Sequence, residues 1–253
     1  MVIGGAESGS GVTISVTDQS LTDLPGKLAD SAAGYFRIDI PTVLTPSLIS
    51  TLDQFCDLVD DAGDAVAVLR LSGPTEPTGP DHQQPWPGEV GIHLVNKWER
   101  ALRRVERLRA ATIAVADGRC AGAGLEVLLA TDYRIATTAF RLTLPTPSGV
   151  PWPGMIVHRL ANQLGVARAR RLVLFGGDLT AADAVESALV DEVTNDIADR
   201  VQATARLLSG LAGQELAVRR RLLLDATTTS FEDALGAHLA ACDRTLRRAQ
   251  TAA

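Results

Sequence analysis

The sequence predicts an α/β fold with a mainly parallel sheet, followed by a helical C-terminal region. Short apolar runs rich in β-branched residues alternate with amphipathic segments, which is typical of right-handed crossover units. From about residue 198 onward the apolar residues keep only helical spacing. We therefore expect a core over residues 1–195 and a C-terminal helical region over residues 196–253.

The first part of the chain supplies two strands, a helix and a third strand. Strand-like stretches occupy Val12–Val16 and Tyr35–Ile40. Thr45 can cap a helix whose first residue is Pro46, because proline tolerates that position and the threonine hydroxyl accepts a free N–H. The short apolar run Ala65–Leu71 then indicates a buried parallel strand.

The middle of the chain continues the alternation. A Pro- and Gly-rich stretch, SGPTEPTGPDHQQPWPG, predicts a loop before the next helix. The apolar face of that helix comprises Val95, Trp98, Leu102 and Val105. A strand at Thr112–Ala116, a glycine-rich turn, a helix at Leu125–Ala130 and a strand at Tyr133–Ala136 follow. The last helix begins after Ser230, and Asp233 is placed to complete a capping box.

Composition excludes several classes of function. The 24 basic and 30 acidic side chains give a net charge of −6, which disfavours a dedicated nucleic-acid-binding protein. The three cysteines are far apart and lack metal-ligand spacing, so we expect reduced thiols and no metal site. The sequence contains neither a signal-peptide pattern nor a membrane-length apolar run, which predicts a soluble cytoplasmic protein.

The segment TIAVADGRCAGAGLEVLLATDYRIA carries the strongest indication of chemistry. A strand runs into Gly118, turns through Gly122 and Gly124, and opens a helix whose first N–H groups favour an anion. The spacing G-x-x-x-G-x-G differs from the dinucleotide fingerprint, which disfavours a nucleotide cofactor. A tight turn without any ligand is the alternative that the pattern leaves open.

This segment also resembles a known family. DGRCAGAGLEVLLATDYRIA is similar to the glycine-rich block of the crotonase (enoyl-CoA hydratase/isomerase) superfamily, and LPTPSGVPWPG and RLANQLGVARARRLVLFGGDLTAADAVESALVDEV follow in the family's order. Upstream, TVLTPSLISTLDQF and AVAVLRLSG resemble its first helix and strand, so the likeness covers roughly Thr42 to Val193. The resemblance implies a ββα spiral core and a C-terminal helical region that assembles trimers or hexamers.

The resemblance implies stabilisation of a thioester enolate by two backbone N–H groups. One matches the N–H of Ala123, with Gly122 and Gly124 lining the acyl site. The other falls in PTGPD, which makes Thr78 the second donor. CoA would arrive with the substrate, and no separate cofactor is implied.

The resemblance also implies acid–base chemistry at two positions. The family's first glutamate matches Glu126, whereas the second falls on Thr146, which cannot relay protons as a carboxylate does. We therefore expect Glu126 to carry protons alone, in dehydration or isomerisation rather than ordinary hydration. The structural alternative is that Glu126 is the partner of a nearby arginine such as Arg134. Trp152, next to the acyl site, could form an aromatic wall for the substrate or simply pack in the core.

A closer resemblance is carried by LVNKWERALRRVERL, LEVLLATDYRIA, WPGMIVHRLANQLGVARARR and LVDEV. These segments are similar to the DpgB-type crotonase homologues of 3,5-dihydroxyphenylglycine biosynthesis. The resemblance implies dehydration and aromatisation of a polyketide CoA thioester to 3,5-dihydroxyphenylacetyl-CoA, beside a type III polyketide synthase or a second crotonase homologue. A general enoyl-CoA hydratase or isomerase, and a non-catalytic partner that enhances the synthase, remain as alternatives.

Three further polar groups have predicted roles. The arginines at positions 100, 103, 104 and 107 lie on one helix face and could contact a CoA phosphate or simply face solvent beside interspersed glutamates. Asp132 is expected to fix the strand that follows the glycine-rich helix. A C-terminal arginine could supply a cation to a neighbouring subunit.

Overall fold

The computed structural model describes residues 14–16, 35–63, 66–72, 90–144, 152–211 and 213–252. Its strands are β1 (Ile14–Val16), β2 (Tyr35–Ile40), β3 (Val66–Ser72), β4 (Ala111–Asp117), β5 (Arg119–Cys120), β6 (Tyr133–Ala136), β7 (Arg141–Thr143), β8 (Asp178–Thr180) and β9 (Glu192–Val193). Its helices are α1 (Pro46–Asp61), α2 (Ile92–Val105), α3 (Gly122–Leu129), α4 (Met155–Leu164), α5 (Val166–Phe175), α6 (Ala181–Glu186), α7 (Ile197–Ser209), α8 (Gln214–Asp225) and α9 (Phe231–Ala252).

The larger sheet is mainly parallel, which confirms the predicted class. Its order is β1-β2-β3-β4-β6-β9, and β1 is antiparallel to β2 while the remaining neighbours are parallel. A smaller sheet of β5, β7 and β8 branches from the glycine-rich turn. The sequence did not predict this second sheet, because strands of two or three residues are too short to show a period.

Two predicted helix starts are confirmed. The hydroxyl oxygen of Thr45 accepts the N–H of Leu48 at 3.0 Å, one residue before Pro46 opens α1. The hydroxyl of Ser230 accepts the N–H of Asp233 and donates to its carboxylate at 2.7 Å. Of the described helices, none combines the length and hydropathy that a membrane span requires.

Helices cover both faces of the larger sheet. Along β3, Ala67, Leu69 and Leu71 pack with α1, α2, α3 and α4, whereas Val66 and Val68 face the opposite side. On that opposite side α7 contributes Val201 and Ala205, together with residues of β4 and β6. Because α7 packs on the sheet, the hydrophobic core extends past the predicted boundary at residue 195, and α8 and α9 follow it.

Arg220 attaches α8 to the larger sheet at the N-terminal end of β4. Its guanidinium is buried, donates to the carbonyl oxygens of Leu108 and Ala110, and pairs with Asp132 (Nε to Oδ1, 2.6 Å). Asp132 in turn accepts the N–H of Thr112 at 2.9 Å, at the start of β4. The predicted structural role of Asp132 is therefore confirmed, and Arg220 is one C-terminal arginine whose donors are used inside the chain.

We predict that Arg220→Ala lowers the free energy of unfolding by about 3 kcal/mol, because it leaves Asp132 and two carbonyl groups without their donor. The matched control is Arg221→Ala, since the Arg221 side chain is 82% exposed and, within the part of the chain that the structure describes, pairs only with Asp225 of its own helix. That control should change stability by less than about 0.5 kcal/mol. Urea denaturation measures both, and equal effects would contradict the assignment.

Candidate active site

The glycine-rich turn is fixed by backbone conformation. Gly118 has φ +67° and Gly122 has φ +54°, a region that side chains with a Cβ rarely adopt. The helix α3 therefore begins at Gly122, three residues earlier than the sequence predicted, because glycine weakens the helical pattern there. Every residue of α3 is buried, and the Cα of Gly124 is positioned so that a Cβ would lie 3.9 Å from the Leu71 Cβ on β3.

The predicted oxyanion donor already has an acceptor. The N–H of Ala123 donates to the carbonyl oxygen of Thr42, just after β2, at 3.0 Å. The N–H of Leu125 bonds to Ala121 at 3.4 Å, whereas the N–H of Gly124 meets no acceptor in the described part of the chain. A thioester oxygen bound by the N–H of Ala123 would have to displace or share the bond to Thr42.

Two predicted site residues lie outside the described residues. These are Thr78, assigned as the second oxyanion donor, and Thr146, at the position of the family's second acid. Their predicted roles stay predictions.

Glu126 is buried in the second turn of α3 and is held by an indole. Glu126 is only 2% exposed, and its Oε2 accepts a hydrogen bond from Nε1 of Trp98 on α2. The structural alternative fails for Arg134, because that guanidinium donates to the carbonyl oxygens of Leu129, Thr131 and Leu189. Sequence analysis missed Trp98 because it shares the spacing of core residues, although a buried indole N–H generally needs a partner.

The surroundings of Glu126 shift the pKa of its carboxyl group toward neutral pH. Burial raises the pKa of Glu126 to about 7, and the hydrogen bond from Trp98 opposes that shift. The nearby carboxylate of Glu99 raises the pKa further, while the guanidinium of Arg159 lowers it. A carboxyl group in this range can both accept and release a proton near pH 7.

An ion-pair network centred on the buried Arg159 connects α2 with α4. Arg159, on α4, lies 2.9 Å from Glu99 Oε2 and donates from Nε to Glu106 Oε1 at 2.9 Å. Glu106 also pairs with Arg103 at 2.7 Å. The network fixes the position of α2, and therefore of Trp98, relative to α4.

Two of the predicted basic residues on α2 are engaged within the chain. Arg103 pairs with Glu106, and Arg104 pairs with Asp53 at 2.9 Å and with Asp57 on α1. For these two arginines the structural interpretation is therefore favoured over a phosphate contact.

Trp152 lies beside Glu126, near the start of α4. It is partly buried and packs against the core of the same sheet face. A Cβ placed on Gly154 would stand 2.9 Å from Cδ1 of Trp152 and 3.4 Å from Oε1 of Glu126. Gly154 therefore leaves room for both groups, and the Glu126 oxygen not bonded by Trp98 is on the Trp152 side.

A separate cavity of about 350 Å³ lies between α5 and α6. Its lining includes Arg168, Arg171, Asp178 and Asp183, and it shares no residue with the Glu126 site.

Comparisons with known proteins agree with this architecture. The family model for enoyl-CoA hydratase/isomerase matches residues 92–252. An enoyl-CoA hydratase of Amycolatopsis orientalis is 43% identical over 215 residues, which cover 85% of this chain and 96% of that protein. An enoyl-CoA isomerase/hydratase of Mycosarcoma maydis is 33% identical over 133 residues, covering 51% of this chain and 48% of that protein.

Solved structures share the fold. A Cupriavidus metallidurans enoyl-CoA hydratase/isomerase superimposes with a TM-score of 0.72 at 20% identity, covering 95% of this chain and 90% of the other. A Thermobifida fusca protein that carries the name enoyl-CoA hydratase, solved in complex with acetoacetyl-CoA, gives a TM-score of 0.71 at 20% identity, with coverage of 94% and 95%. The predicted crotonase-like α/β fold is thus confirmed.

We predict that Glu126→Gln changes how stability depends on pH. Because the folded pKa of Glu126, about 7, exceeds the ordinary value of 4.5, the protonated form is favoured in the folded state. The contribution of this group to stability is complete below pH 4.5 and is lost as pH rises through 7. The variant should therefore gain about 3 kcal/mol relative to the wild type between pH 4.5 and pH 8. Urea denaturation across this range measures the gain, and parallel curves would contradict it.

Proposed function

Since the chain belongs to the enoyl-CoA hydratase/isomerase family, we propose that it acts on the acyl group of a CoA thioester, with Glu126 as its proton carrier. The observation that carries the proposal is the Glu126 carboxyl group itself. It is buried one turn into α3, has a pKa near 7, and keeps one oxygen outside the Trp98 hydrogen bond. A group of this kind suits proton transfer at a carbon next to a thioester.

The proposed reaction is loss of water from a β-hydroxyacyl thioester. Glu126 removes a proton from the α-carbon, and the electron pair moves onto the thioester oxygen as an enolate. When the enolate collapses, the bond between the β-carbon and its hydroxyl oxygen breaks. Glu126 returns its proton to the leaving hydroxide, which departs as water, so a single carboxyl group suffices.

Two backbone N–H groups, one of them at the start of α3, would stabilise the enolate oxygen. The proposed donors are Ala123, after exchange of its bond to Thr42, and Thr78. An N–H fixed in this way is typically worth about 3 kcal/mol to the transition state. The flanking Gly122 and Gly124 leave space for the oxygen, and the chemistry needs no cofactor beyond the CoA of the substrate.

The proposed substrate is a polyketide intermediate made by a type III polyketide synthase. Its dehydration and aromatisation would yield 3,5-dihydroxyphenylacetyl-CoA. Support comes from the resemblance to the DpgB-type homologues and from Trp152, whose indole beside Glu126 suits a cyclic unsaturated acyl group. The matches to enoyl-CoA hydratases equally support a general hydratase or isomerase.

A second candidate is a non-catalytic partner of the synthase or of another crotonase homologue. It is favoured by the hydrogen bond between Ala123 and Thr42, because that bond already satisfies the predicted oxyanion donor. In that case the protein would raise the output of its partner by binding alone.

We also propose that α9 assembles the protein into a trimer or hexamer. Four large apolar side chains on this helix are exposed: Phe231 by 75%, Leu235 by 42%, Leu239 by 59% and Leu246 by 63%. The first three recur at intervals of four residues, so they share one face. An exposed apolar face of this extent is typical of an interface.

We predict that Glu126→Gln lowers product formation by at least a hundredfold, because glutamine keeps the shape of the side chain and cannot carry a proton. The assay combines the protein with a type III polyketide synthase and malonyl-CoA and quantifies 3,5-dihydroxyphenylacetyl-CoA. Crotonyl-CoA hydration is measured in parallel.

The outcomes separate the three candidates. Loss of polyketide product with the variant supports the specific proposal, and turnover of crotonyl-CoA by the wild type supports the general one. If Glu126→Gln enhances the synthase as well as the wild type does, the protein is a non-catalytic partner. Glutamine at this position can still accept the Trp98 hydrogen bond, and circular dichroism shows whether the variant folds as the wild type does.

We predict that Leu239→Lys converts the assembly to monomers, because a charge would be buried in the proposed interface. Leu174→Lys is the matched control, since Leu174 is 60% exposed and belongs to a different helix, α5. Light scattering coupled to size exclusion gives the mass of each. Dissociation by the control alone would place the interface on α5 instead.

A further inference from the structure

We propose that Trp98 is a positioning residue for Glu126: its indole holds Oε2 as an acceptor, so that Oε1 is the oxygen that carries the exchangeable proton. This inference deepens the proposed function and rests on Glu126 acting as the proton carrier.

The first step concerns the chemistry of the indole. An indole Nε1–H can only donate a hydrogen bond. Trp98 is 1% exposed and donates to Oε2 of Glu126, so in both protonation states of the carboxyl group Oε2 must be the acceptor. A proton on Oε2 would face the N–H of Trp98 and would leave that buried donor without a partner.

The second step concerns the other oxygen. Oε1 of Glu126 accepts no hydrogen bond from any described residue. It lies on the side of Gly154 and Trp152, where a Cβ on Gly154 would come within 3.4 Å of it. The proton of Glu126 is therefore directed toward Gly154 and the indole of Trp152, the proposed aromatic wall.

The third step concerns rigidity. Trp98 lies on α2, which is joined to α1 by the pairs of Arg104 with Asp53 and Asp57, and to α4 by Arg159. Contacts on both flanks of α2, together with complete burial of the ring, restrict the indole to one placement. Among the described residues, the charged groups that act on Glu126 are Glu99 on α2 and Arg159 on α4.

The test removes the N–H of Trp98 and keeps its aromatic packing. In Trp98→Phe, the ionised form of Glu126 loses a hydrogen bond, so the midpoint of its titration should move upward by about one pH unit. We expect kcat at pH 7 to fall about fivefold with little change in KM, and to recover above pH 9. A purely structural role would instead lower kcat equally at every pH.

Two further variants sharpen the test. Trp98→benzothienylalanine, introduced site-specifically, replaces the N–H with sulfur at nearly constant shape, so it serves even if Trp98→Phe folds poorly. Glu99→Gln is the control of opposite sign, because removing that negative charge should move the Glu126 midpoint downward. The proposal is supported if both Trp98 variants move the midpoint of the Glu126 titration upward and Glu99→Gln moves it downward.

The Glu126 midpoint is also measured without any activity assay. The difference in unfolding free energy between each background and its Glu126→Gln derivative, followed against pH, reports the titration directly. If both Trp98 variants leave this midpoint unchanged, the positioning role is overturned, whatever the activity. If the midpoint moves but no thioester is turned over, the positioning role stands and the proposed function fails.

Discussion

The hydrogen bond from the Trp98 indole to the Glu126 carboxyl group joins two helices that meet on one face of the larger sheet. Burial raises the pKa of this carboxyl group above its usual range, and the hydrogen bond from the indole N–H lowers the pKa in part. The balance of these two effects gives the carboxyl group a pKa of about 7. Because α2 is fixed to α1 and α4 by ion pairs, the balance is built into the packing of three helices rather than into one side chain.

The backbone at the start of α3 is under a second constraint. A buried N–H that lacks an acceptor is costly, and the carbonyl oxygen of Thr42 removes that cost for Ala123. Any thioester oxygen bound there would compete with this carbonyl group. The segment after β2 is thereby coupled to the proposed oxyanion donor, and the outcome of this competition between two acceptors separates the proposed catalytic role from the proposed binding role.

The two ends of β4 carry different groups of residues. The glycine-rich turn and Glu126 follow its carboxyl end, where ligands bind in open parallel sheets. At its other end Thr112, Asp132 and Arg220 join the sheet to α8. Stability of the C-terminal helices is therefore separated in space from the proposed chemistry, and substitutions in one region need not disturb the other.

The sequence by itself determined the parallel sheet, the capped starts of α1 and α9, the glycine-rich turn and the position of Glu126, because local spacing and residue type specify these features. Only the tertiary structure decided what surrounds Glu126. Trp98 and Arg159 approach it from helices distant in the chain, and the acceptor for Ala123 comes from Thr42. Contacts of this kind depend on how whole helices and strands pack, so the spacing of residues along the sequence does not predict them. The two-residue strand β5 escaped prediction for the related reason that its partner β7, rather than its own sequence, defines it.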